Sequence, residues 1–274
     1  MKNLSVKNFL SKLFKKKAAP PVVPPARKAN PPGVTVYTES GSANVVFTNL
    51  VLHGPDGAPL VDYGSFTMQP GDRVMIAGPA GCGKSAALAA MRNAWLLGGS
   101  GEITVPPEIR FVPQEEYFPD RSLRGIVCAP DNPDKFTREQ VAQALTDAGL
   151  GDFVGAMDDV TKRGEYWKNT LSGGQKNKVG FAGIFLHAAE TKVLIVDEIT
   201  AALDAKSETE LYPRLLERMK HGIVISVAHH STLAPQHNVF AKVADGKVTY
   251  TRTPDTKPAP ANTNEAPAAP PKIA

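Results

Sequence analysis

The sequence predicts an α/β fold in which helices cover both faces of a parallel β-sheet. Three segments are apolar nearly throughout, which is typical of strands buried on both faces: residues 109–112, 193–196 and 223–227. Helical patterns lie between them, over residues 137–148, where Thr137 and Gln140 form a capping box, and over residues 173–189. This alternation of strands and helices indicates a parallel sheet.

A glycine-rich loop joins another apolar strand to a helix. The apolar residues 74–77 run directly into the pattern G-x-x-x-x-G-K-S at residues 78–85. Three apolar residues then follow at helical spacing: Leu88, Met91 and Trp95. Strand, loop and helix in this order predict a phosphate-binding loop, so we expect a RecA-like parallel sheet core of the P-loop NTPase class.

The loop supplies a set of predicted phosphate ligands. Its glycines let backbone N–H groups turn inward around the β- and γ-phosphates, and the N-terminus of the helix adds its partial positive charge. We predict that Lys84 neutralises phosphate charge and that the Ser85 hydroxyl binds Mg²⁺. The residues predicted to contact the nucleotide here are Gly78, Pro79, Ala80, Gly81, Cys82, Gly83, Lys84, Ser85 and Ala86.

The segments around this core indicate further subdomains. Three strand-like segments precede the loop and predict an N-terminal antiparallel β subdomain: residues 34–37, 45–52 and 60–68. A hairpin with an Asp-Gly turn is predicted over residues 238–250. An inserted helical subdomain is expected at about residues 115–178, within a folded domain that spans residues 34–251.

Both ends of the chain differ in composition from the part between them. Residues 1–17 are basic, with apolar residues on one helical stripe, which predicts an amphipathic segment on an anionic membrane surface. A disordered tail and a helix docked on a protein partner remain alternatives for this segment. The proline-rich residues 18–33 predict an extended linker, and residues 252–274 predict a disordered tail.

Composition also limits location and partners. The net charge is +4, and the excess falls in the first 38 residues, which contain no Asp or Glu. The remainder is near neutral and has no basic surface pattern typical of a nucleic-acid-binding domain, so no nucleic-acid partner is expected. Two cysteines, Cys82 and Cys128, form no disulfide framework, which favours a reducing cytosol. No apolar stretch approaches the roughly 20 residues that cross a bilayer. We therefore expect a cytoplasmic chain, peripheral on the cytoplasmic face of a membrane.

Two adjacent carboxylates follow the strand at residues 193–196. An apolar strand that ends in Asp197 and Glu198 suits metal binding by the first carboxylate and activation of water by the second. We predict that Asp197 holds Mg²⁺ through water and that Glu198 polarises the attacking water.

The pattern L-S-G-G-Q at residues 171–175 comes shortly before that strand. Ser172 can cap the following helix with Gln175 at the reciprocal position, so the helix end exposes N–H groups that bind phosphate. With this pattern the sequence resembles the ATP-binding-cassette (ABC) family over about residues 45–249. The resemblance implies that four residues contact the γ-phosphate held by a second subunit: Ser172, Gly173, Gly174 and Gln175.

Other elements of the family occur in the family's order, and the resemblance implies their roles. Gln114 matches the glutamine that senses Mg²⁺, Asp204 lies in the loop that crosses the dimer interface, and His229 matches the switch histidine at the γ-phosphate. A metal site formed by His229, His230 and His237 is a weaker alternative. The implied catalytic residues are Lys84, Gln114, Glu198 and His229. The implied Mg²⁺ ligands are Ser85, Gln114 and Asp197.

Within the family, three segments look like the branch that contains the peroxisomal fatty-acyl transporters and their bacterial half-transporter relatives: residues 113–119, 122–124 and 226–233. Those relatives usually carry a membrane domain ahead of the cassette. This chain has a basic segment and a proline linker there.

Two positions depart from the family's pattern. Gly54 stands where many cassettes place an aromatic residue that stacks on adenine, so the base could rest on His53, on Tyr37 or on nothing strong. Lys178 stands where an arginine usually follows the signature, which keeps the charge but removes a bidentate donor.

One predicted helix carries conflicting signals. Ser207 and Glu210 form a capping-box pattern that predicts a helix start. Pro213 follows inside that helix, where it would cost roughly 3 kcal/mol if the helix ran straight. We therefore expect a kink or a break at Pro213.

Together these features predict a Mg-dependent ATPase subunit that dimerises head to tail with a second copy, or a homologous cassette, around two ATP molecules. The region at residues 117–124 and the helical subdomain would pass the motion to a separate transmembrane subunit. One alternative is a soluble ABC ATPase that acts on nucleic acid or ribosomes. Another is a nucleotide-binding scaffold without turnover, which the presence of Lys84, Asp197, Glu198 and His229 argues against.

Overall fold

The computed structural model describes residues 33–113, 116–227 and 231–253, and in these residues ten strands form one sheet. In chain order the strands are β1 Thr35–Thr38, β2 Val45–His53, β3 Pro59–Met68, β4 Arg73–Ala77, β5 Gly99–Val105, β6 Ile109–Val112, β7 Val193–Asp197, β8 Ile223–Val227, β9 Val239–Ala244 and β10 Lys247–Arg252. The predicted amphipathic segment at residues 1–17 lies outside the described residues, as do the linker up to residue 32 and the tail from residue 254.

The order of strands in the sheet separates a parallel region from an antiparallel one. Neighbouring strands follow the order β1-β5-β2-β3-β10-β9-β4-β8-β7-β6. From β9 to β6 every neighbouring pair is parallel. Strand β2 is antiparallel to both β3 and β5. The predicted parallel core, preceded along the chain by an antiparallel β subdomain, is confirmed.

Six α-helices lie in the described part of the chain: α1 Lys84–Met91, α2 Leu123–Val127, α3 Arg138–Asp147, α4 Gly164–Thr170, α5 Gly173–His187 and α6 Ala205–Arg218. The predicted capping box of Thr137 and Gln140 is present at the start of α3. Helices α2, α3 and α4 come between β6 and α5 in the chain, where the sequence predicts an inserted helical subdomain.

Two buried apolar clusters lie on opposite faces of the parallel sheet. Strand β7 alternates between them, because Val193 and Ile195 belong to one cluster whereas Leu194 and Val196 belong to the other. The cluster around Val193 contains the side chains of α1 and of the antiparallel strands. The cluster around Leu194 contains those of α2 to α6. Helices α1 and α5 therefore pack on opposite faces of the sheet.

Helix α1 is shorter than its sequence pattern indicates. The pattern reaches Trp95, but α1 ends at Met91, and Asn93 adopts a left-handed conformation with φ 55°. Asparagine tolerates this conformation better than most residues, which makes it a common helix terminator. Trp95 lies beyond the helix, and its indole N–H donates to the carbonyl of Gly98 at 3.0 Å.

Helix α6 differs from the prediction at its start and in its middle. The helix begins at Ala205 and its N-cap is Asp204, whose carboxylate accepts from the backbone N–H of Ser207, so the predicted start at Ser207 is wrong. The helix also continues without a break through Pro213. Burial of one face, including Tyr212, stabilises the helix despite the missing hydrogen bond.

The last strand, β10, extends one residue beyond the predicted end of the folded domain at residue 251. Strand β10 includes Arg252, whose guanidinium pairs with the buried Asp72, so this residue belongs to the sheet and not to the predicted tail. No α-helix among the described residues is both long and apolar enough to span a bilayer.

Candidate functional site

The phosphate loop begins where β4 ends, and it is closed by its own lysine. Lys84 is 6% exposed, and its Nζ donates to the carbonyl oxygens of Gly78 at 2.9 Å and of Pro79 at 2.8 Å. Gly81 and Gly83 adopt left-handed conformations, with φ 76° and 101°, that favour glycine. The lysine ammonium group is thereby bonded to the backbone of its own loop.

Two glycines let the loop approach neighbouring strands. A Cβ atom on Gly78 would lie 2.7 Å from the carbonyl oxygen of Val243, and one on Gly83 would lie 2.6 Å from Cγ1 of Val61. Space is open above Gly81, where a Cβ would meet nothing. The exposed residues of the loop and of the first helical turn are Pro79, Ala80, Gly81 and Ser85, whereas Cys82 is half-buried and Ala86 is buried.

The paired acids lie at the same edge of the sheet as the loop. Asp197 pairs with Val227 of β8, and Val227 pairs with Ile76 of β4. Asp197 is therefore level with the end of β4, two strand spacings or about 10 Å away. Because the carboxyl ends of parallel strands lie at one edge of the sheet, Asp197, the predicted metal ligand, and the loop lie at the same edge.

Glu198 is held in an uncommon backbone conformation. It has φ 50°, a left-handed value for a residue other than glycine, and its backbone N–H donates to the carbonyl of Val227 at 3.0 Å. Such conformations cost about 1–3 kcal/mol and cluster at functional sites. The half-buried Glu198 thus leaves the strand in a direction fixed by the sheet.

The L-S-G-G-Q segment forms the capped start of α5, as predicted. The Ser172 hydroxyl accepts from the N–H of Gln175 at 3.2 Å, and the Gln175 side chain accepts from the N–H of Ser172 at 2.9 Å. Ser172 and Gly173 are exposed, whereas Gly174 is half-buried. A Cβ atom on Gly174 would lie 3.3 Å from the carbonyl oxygen of Ala202. A capped helix start with an exposed hydroxyl is able to bind an anion.

A buried hydrogen bond connects α5 with the chain that follows the acids. The Asn177 side chain donates to the carbonyl of Ile199 at 2.9 Å. Further along, both carboxylate oxygens of Asp204 accept from Ser207, and these hydrogen bonds lower the pKa of Asp204. Asp204 therefore has a structural role as a cap. Sequence reasoning missed Asn177, because no local pattern marks a bond across 22 residues.

A cavity of about 370 Å³ opens beside the start of α5, lined by Glu116, Phe118, Lys168, Gly173, Lys176, Asn177, Ala201 and Ala202. Burial raises the pKa of Glu116 to about 7, opposed by the charge of Arg110. The carboxylate lies against bare backbone, 2.7 Å from where a Cβ of Gly180 would be. A carboxylic acid of this pKa changes its protonation near neutral pH.

Two predicted catalytic residues, Gln114 and His229, lie outside the described residues. The alternative metal site at His229, His230 and His237 is disfavoured by His237, which lies in the described part. Both of its ring nitrogens have partners, the Leu233 carbonyl at 2.8 Å and the Tyr212 hydroxyl at 3.0 Å. Burial lowers the pKa of His237 to about 4. Among the described residues no cluster of three or more metal-binding side chains occurs.

The two candidate platforms for the base lie at opposite ends of the β subdomain. Val61, which touches the loop at Gly83, pairs with Leu52, the neighbour of His53. Tyr37 is level with Val46 through β5, six residues or about 20 Å along β2 from Leu52. The backbone at His53 therefore lies at the end of β2 that pairs with Val61, whereas Tyr37 lies at the other end.

The fold and the site define a class and then a family. A phosphate loop after one parallel strand, with an acid level with it on the next strand but one, defines a P-loop nucleotide-binding protein. The chain belongs to the ABC transporter family, because residues 61–201, more than half of the chain, match the family model described as ABC transporter.

The relatives agree with this family. An ABC transporter ATP-binding protein of Haemophilus influenzae is 29% identical over 71% of this chain and 32% of the relative. ATP-binding cassette sub-family D member 3 of Rattus norvegicus is 31% identical over 75% of this chain and 31% of the relative. The chain spans about a third of the length of these relatives. The predicted branch is thereby confirmed.

A solved structure shares the fold. The structure titled as a bacterial Atm1-family ABC exporter with ATP bound superposes with a TM-score of 0.67 and 23% identity. The match covers 83% of this chain and 41% of that chain. At this identity the likeness is one of fold.

Proposed function

We propose that this chain is the ATP-hydrolysing, nucleotide-binding subunit of an ABC transporter, peripheral on the cytoplasmic face of a membrane and powering a separate membrane-spanning partner. The observation that carries the proposal is that two helix starts with the geometry to bind an anion occur in one chain. The loop leads into α1 on one face of the sheet, and the exposed Ser172 begins α5 on the other. Membership of the ABC transporter family supports the same function.

In this proposal each predicted site residue has one role in binding or hydrolysing the nucleotide. Lys84 neutralises phosphate charge, and the loop residues 78–86, apart from Pro79, offer backbone N–H groups to the phosphates. Glu198 accepts the proton of the attacking water. Gln114 and His229 complete the set as proposed from the sequence, outside the described residues.

The oxygen ligands fit a magnesium ion. Ser85 is exposed beside the loop and Asp197 is level with it, and hydroxyl and carboxylate oxygens are ligands that Mg²⁺ prefers. In proteins Mg²⁺ is commonly held by one or two side chains together with substrate phosphates. When bound, Mg²⁺ neutralises the charge that develops on the phosphates.

The nucleotide would lie between two copies of the chain. Ser172, Gly173, Gly174 and Gln175 of one copy would close the pocket opened by Lys84 of the other. Head-to-tail association of this kind forms two equivalent pockets, and ATP binding would stabilise the dimer by mass action. Hydrolysis would remove the bridging γ-phosphate and release the two copies.

Exposed apolar side chains support a docking role for the region after β6. Tyr117, Val160 and Tyr166 are 75%, 73% and 44% exposed. Helix α4, which carries Tyr166, lies directly on the carbonyl oxygens of Phe118 and Pro119 at its Gly164. We propose that this surface meets the membrane-spanning partner, and that the basic residues 1–17 add contact with anionic lipid.

Hydrolysis of MgATP by the full chain tests the enzymatic part of the proposal. The wild type should bind and hydrolyse ATP, Lys84→Ala should lose binding, and Glu198→Gln should keep binding while losing about 100-fold or more of the rate. Normal turnover by Glu198→Gln would contradict the role given to Glu198.

Purification from detergent-solubilised membranes tests the partner. A multi-span membrane protein should co-purify with the chain. Recovery of RNA, DNA or ribosomes in its place would favour the soluble ABC ATPase and contradict the transporter subunit.

A further inference from the structure

A buried tyrosine lies directly beneath the phosphate loop. Tyr63 of β3 is 1% exposed, and its hydroxyl donates to the carbonyl oxygen of Gly83 at 2.9 Å. The carbonyl oxygen of Lys84 lies 3.5 Å from the same hydroxyl. The ring is fixed by an edge-on contact with Phe47, with centroids 5.8 Å apart. None of the local patterns in the sequence points to this contact.

The contact falls on the peptide that begins α1. Gly83 is the N-cap of α1, and its carbonyl also accepts from the N–H of Ala86 at 3.1 Å. Val61, two residues before Tyr63 on the same strand, leaves no room for a side chain on Gly83. Strand β3 therefore contacts the loop at Gly83 in two ways, through the packing of Val61 and through the hydrogen bond from Tyr63.

The geometry of a trans peptide connects this bond to the open side of the loop. In a planar trans peptide the C=O and the following N–H point in opposite directions. A donor that holds the Gly83 carbonyl from below therefore turns the N–H of Lys84 away from β3. Burial raises the pKa of Tyr63, so its hydroxyl stays protonated and remains a donor.

We propose that Tyr63 is a positioning residue for nucleotide binding, which orients the Gly83–Lys84 peptide so that its N–H faces the phosphates. The inference rests on the proposed ATP-binding function. A residue of the antiparallel subdomain, outside the loop, thereby fixes the conformation of the loop.

The test compares two tyrosines of the full chain. Tyr63→Phe removes the hydroxyl and keeps the ring. Tyr212→Phe is the matched control, because Tyr212 is also fully buried with a bonded hydroxyl, to Ser226 at 2.7 Å, but belongs to the cluster on the opposite face from α1. Calorimetry gives the Kd for MgATP, steady-state kinetics give KM and kcat, and thermal unfolding without nucleotide gives Tm.

Loss of one oriented hydrogen bond should weaken MgATP binding of Tyr63→Phe by about five- to tenfold. KM should rise by a similar factor while kcat stays within about twofold, because the bond orients ground state and transition state alike. Tyr212→Phe should keep the Kd and the KM of the wild type, even where its Tm falls as far.

Three results would overturn the inference. The first is a Kd of Tyr63→Phe equal to that of the wild type. The second is a loss of affinity in both variants that follows their loss of Tm, because that is the result of a purely structural role. The third is a wild type that binds no ATP, which overturns the proposed function as well and is distinguished from the first two by the wild type alone.

Discussion

Glu116 is a single residue whose surroundings change its chemistry. Its carboxylate lies against the bare backbone of Gly180, where a larger residue would collide with it. Arg110 of β6 is the cation that opposes the effect of burial, and Lys168 of α4 and Lys176 of α5 line the same cavity. Burial prevails, and the pKa of Glu116 rises to about 7. The folded protein therefore binds a proton that the unfolded chain releases at lower pH.

The stability of the protein should depend on pH through this residue. Because the folded pKa of Glu116 lies above the unfolded value, the contribution is fully present below about pH 4.5 and is lost as pH rises through about pH 7. The wild type should lose about 1–3 kcal/mol relative to Glu116→Gln between about pH 5 and about pH 8.

Denaturant unfolding of both proteins at the two pH values measures this difference. The exposed Glu165→Gln is the control and should follow the wild type at both pH values. A constant difference between the wild type and Glu116→Gln would contradict the raised pKa.

At the scale of elements, α5 connects the predicted γ-phosphate contact with the segment that follows the acids. Its exposed start carries Ser172, and five residues later Asn177 donates to the carbonyl of Ile199, one residue beyond Glu198. Both residues are almost fully buried, with Asn177 9% and Ile199 4% exposed. A rigid helix bonded in this way holds the Ser172 turn and the Glu198 segment in fixed relation within one chain.

Asn177→Ala should lower the free energy of unfolding by about 1–2 kcal/mol, because it leaves a buried carbonyl without its donor. Asn169→Ala is the matched control, since the Asn169 side chain donates to Glu165 on an exposed surface. The control should cost less than about 0.5 kcal/mol. Equal losses in denaturant unfolding of the two variants would show that the Ile199 bond adds nothing.

Local patterns predicted those elements whose signals are themselves local. Strands at residues 109–112 and 223–227 have their predicted bounds, since residues buried on both faces read as short apolar runs. Strand β5 escaped prediction because Gly99 and Gly101 interrupt its pattern. Those glycines are required by the close backbone of β2, which the sequence does not reveal. The cap at Asp204 was hidden by a competing capping pattern at Ser207.

The candidate site divides in the same way. The loop and the Ser172 cap are short motifs, so residue order alone located them. The contacts of Tyr63 with Gly83 and of Asn177 with Ile199 join residues 20 and 22 positions apart. The carboxylate of Glu116 likewise lies against Gly180, which is far from it in the sequence. These features depend on how the elements pack against one another, so the periodicity of the sequence does not predict them.

At the scale of the whole molecule, the two helices whose starts are proposed to bind phosphate pack on opposite faces of the sheet. Helix α1 packs with the antiparallel strands on one face, and α5 packs with the remaining helices on the other. Within one copy of the chain, the Lys84 loop and the Ser172 turn therefore begin helices that lie on different faces of the sheet. In the proposed function the pocket that uses both is formed with a second copy, and a head-to-tail pair would supply two such pockets.

Sedimentation velocity of the Glu198→Gln chain with MgATP tests this claim most directly, with and without the further change Ser172→Arg. The single variant should sediment as a dimer, because ATP persists in both pockets. The double variant should bind ATP through the intact Lys84 loop and remain a monomer, because the arginine would occupy the exposed turn that is proposed to close the partner's pocket. A double variant that dimerises as fully as Glu198→Gln would contradict the composite pocket.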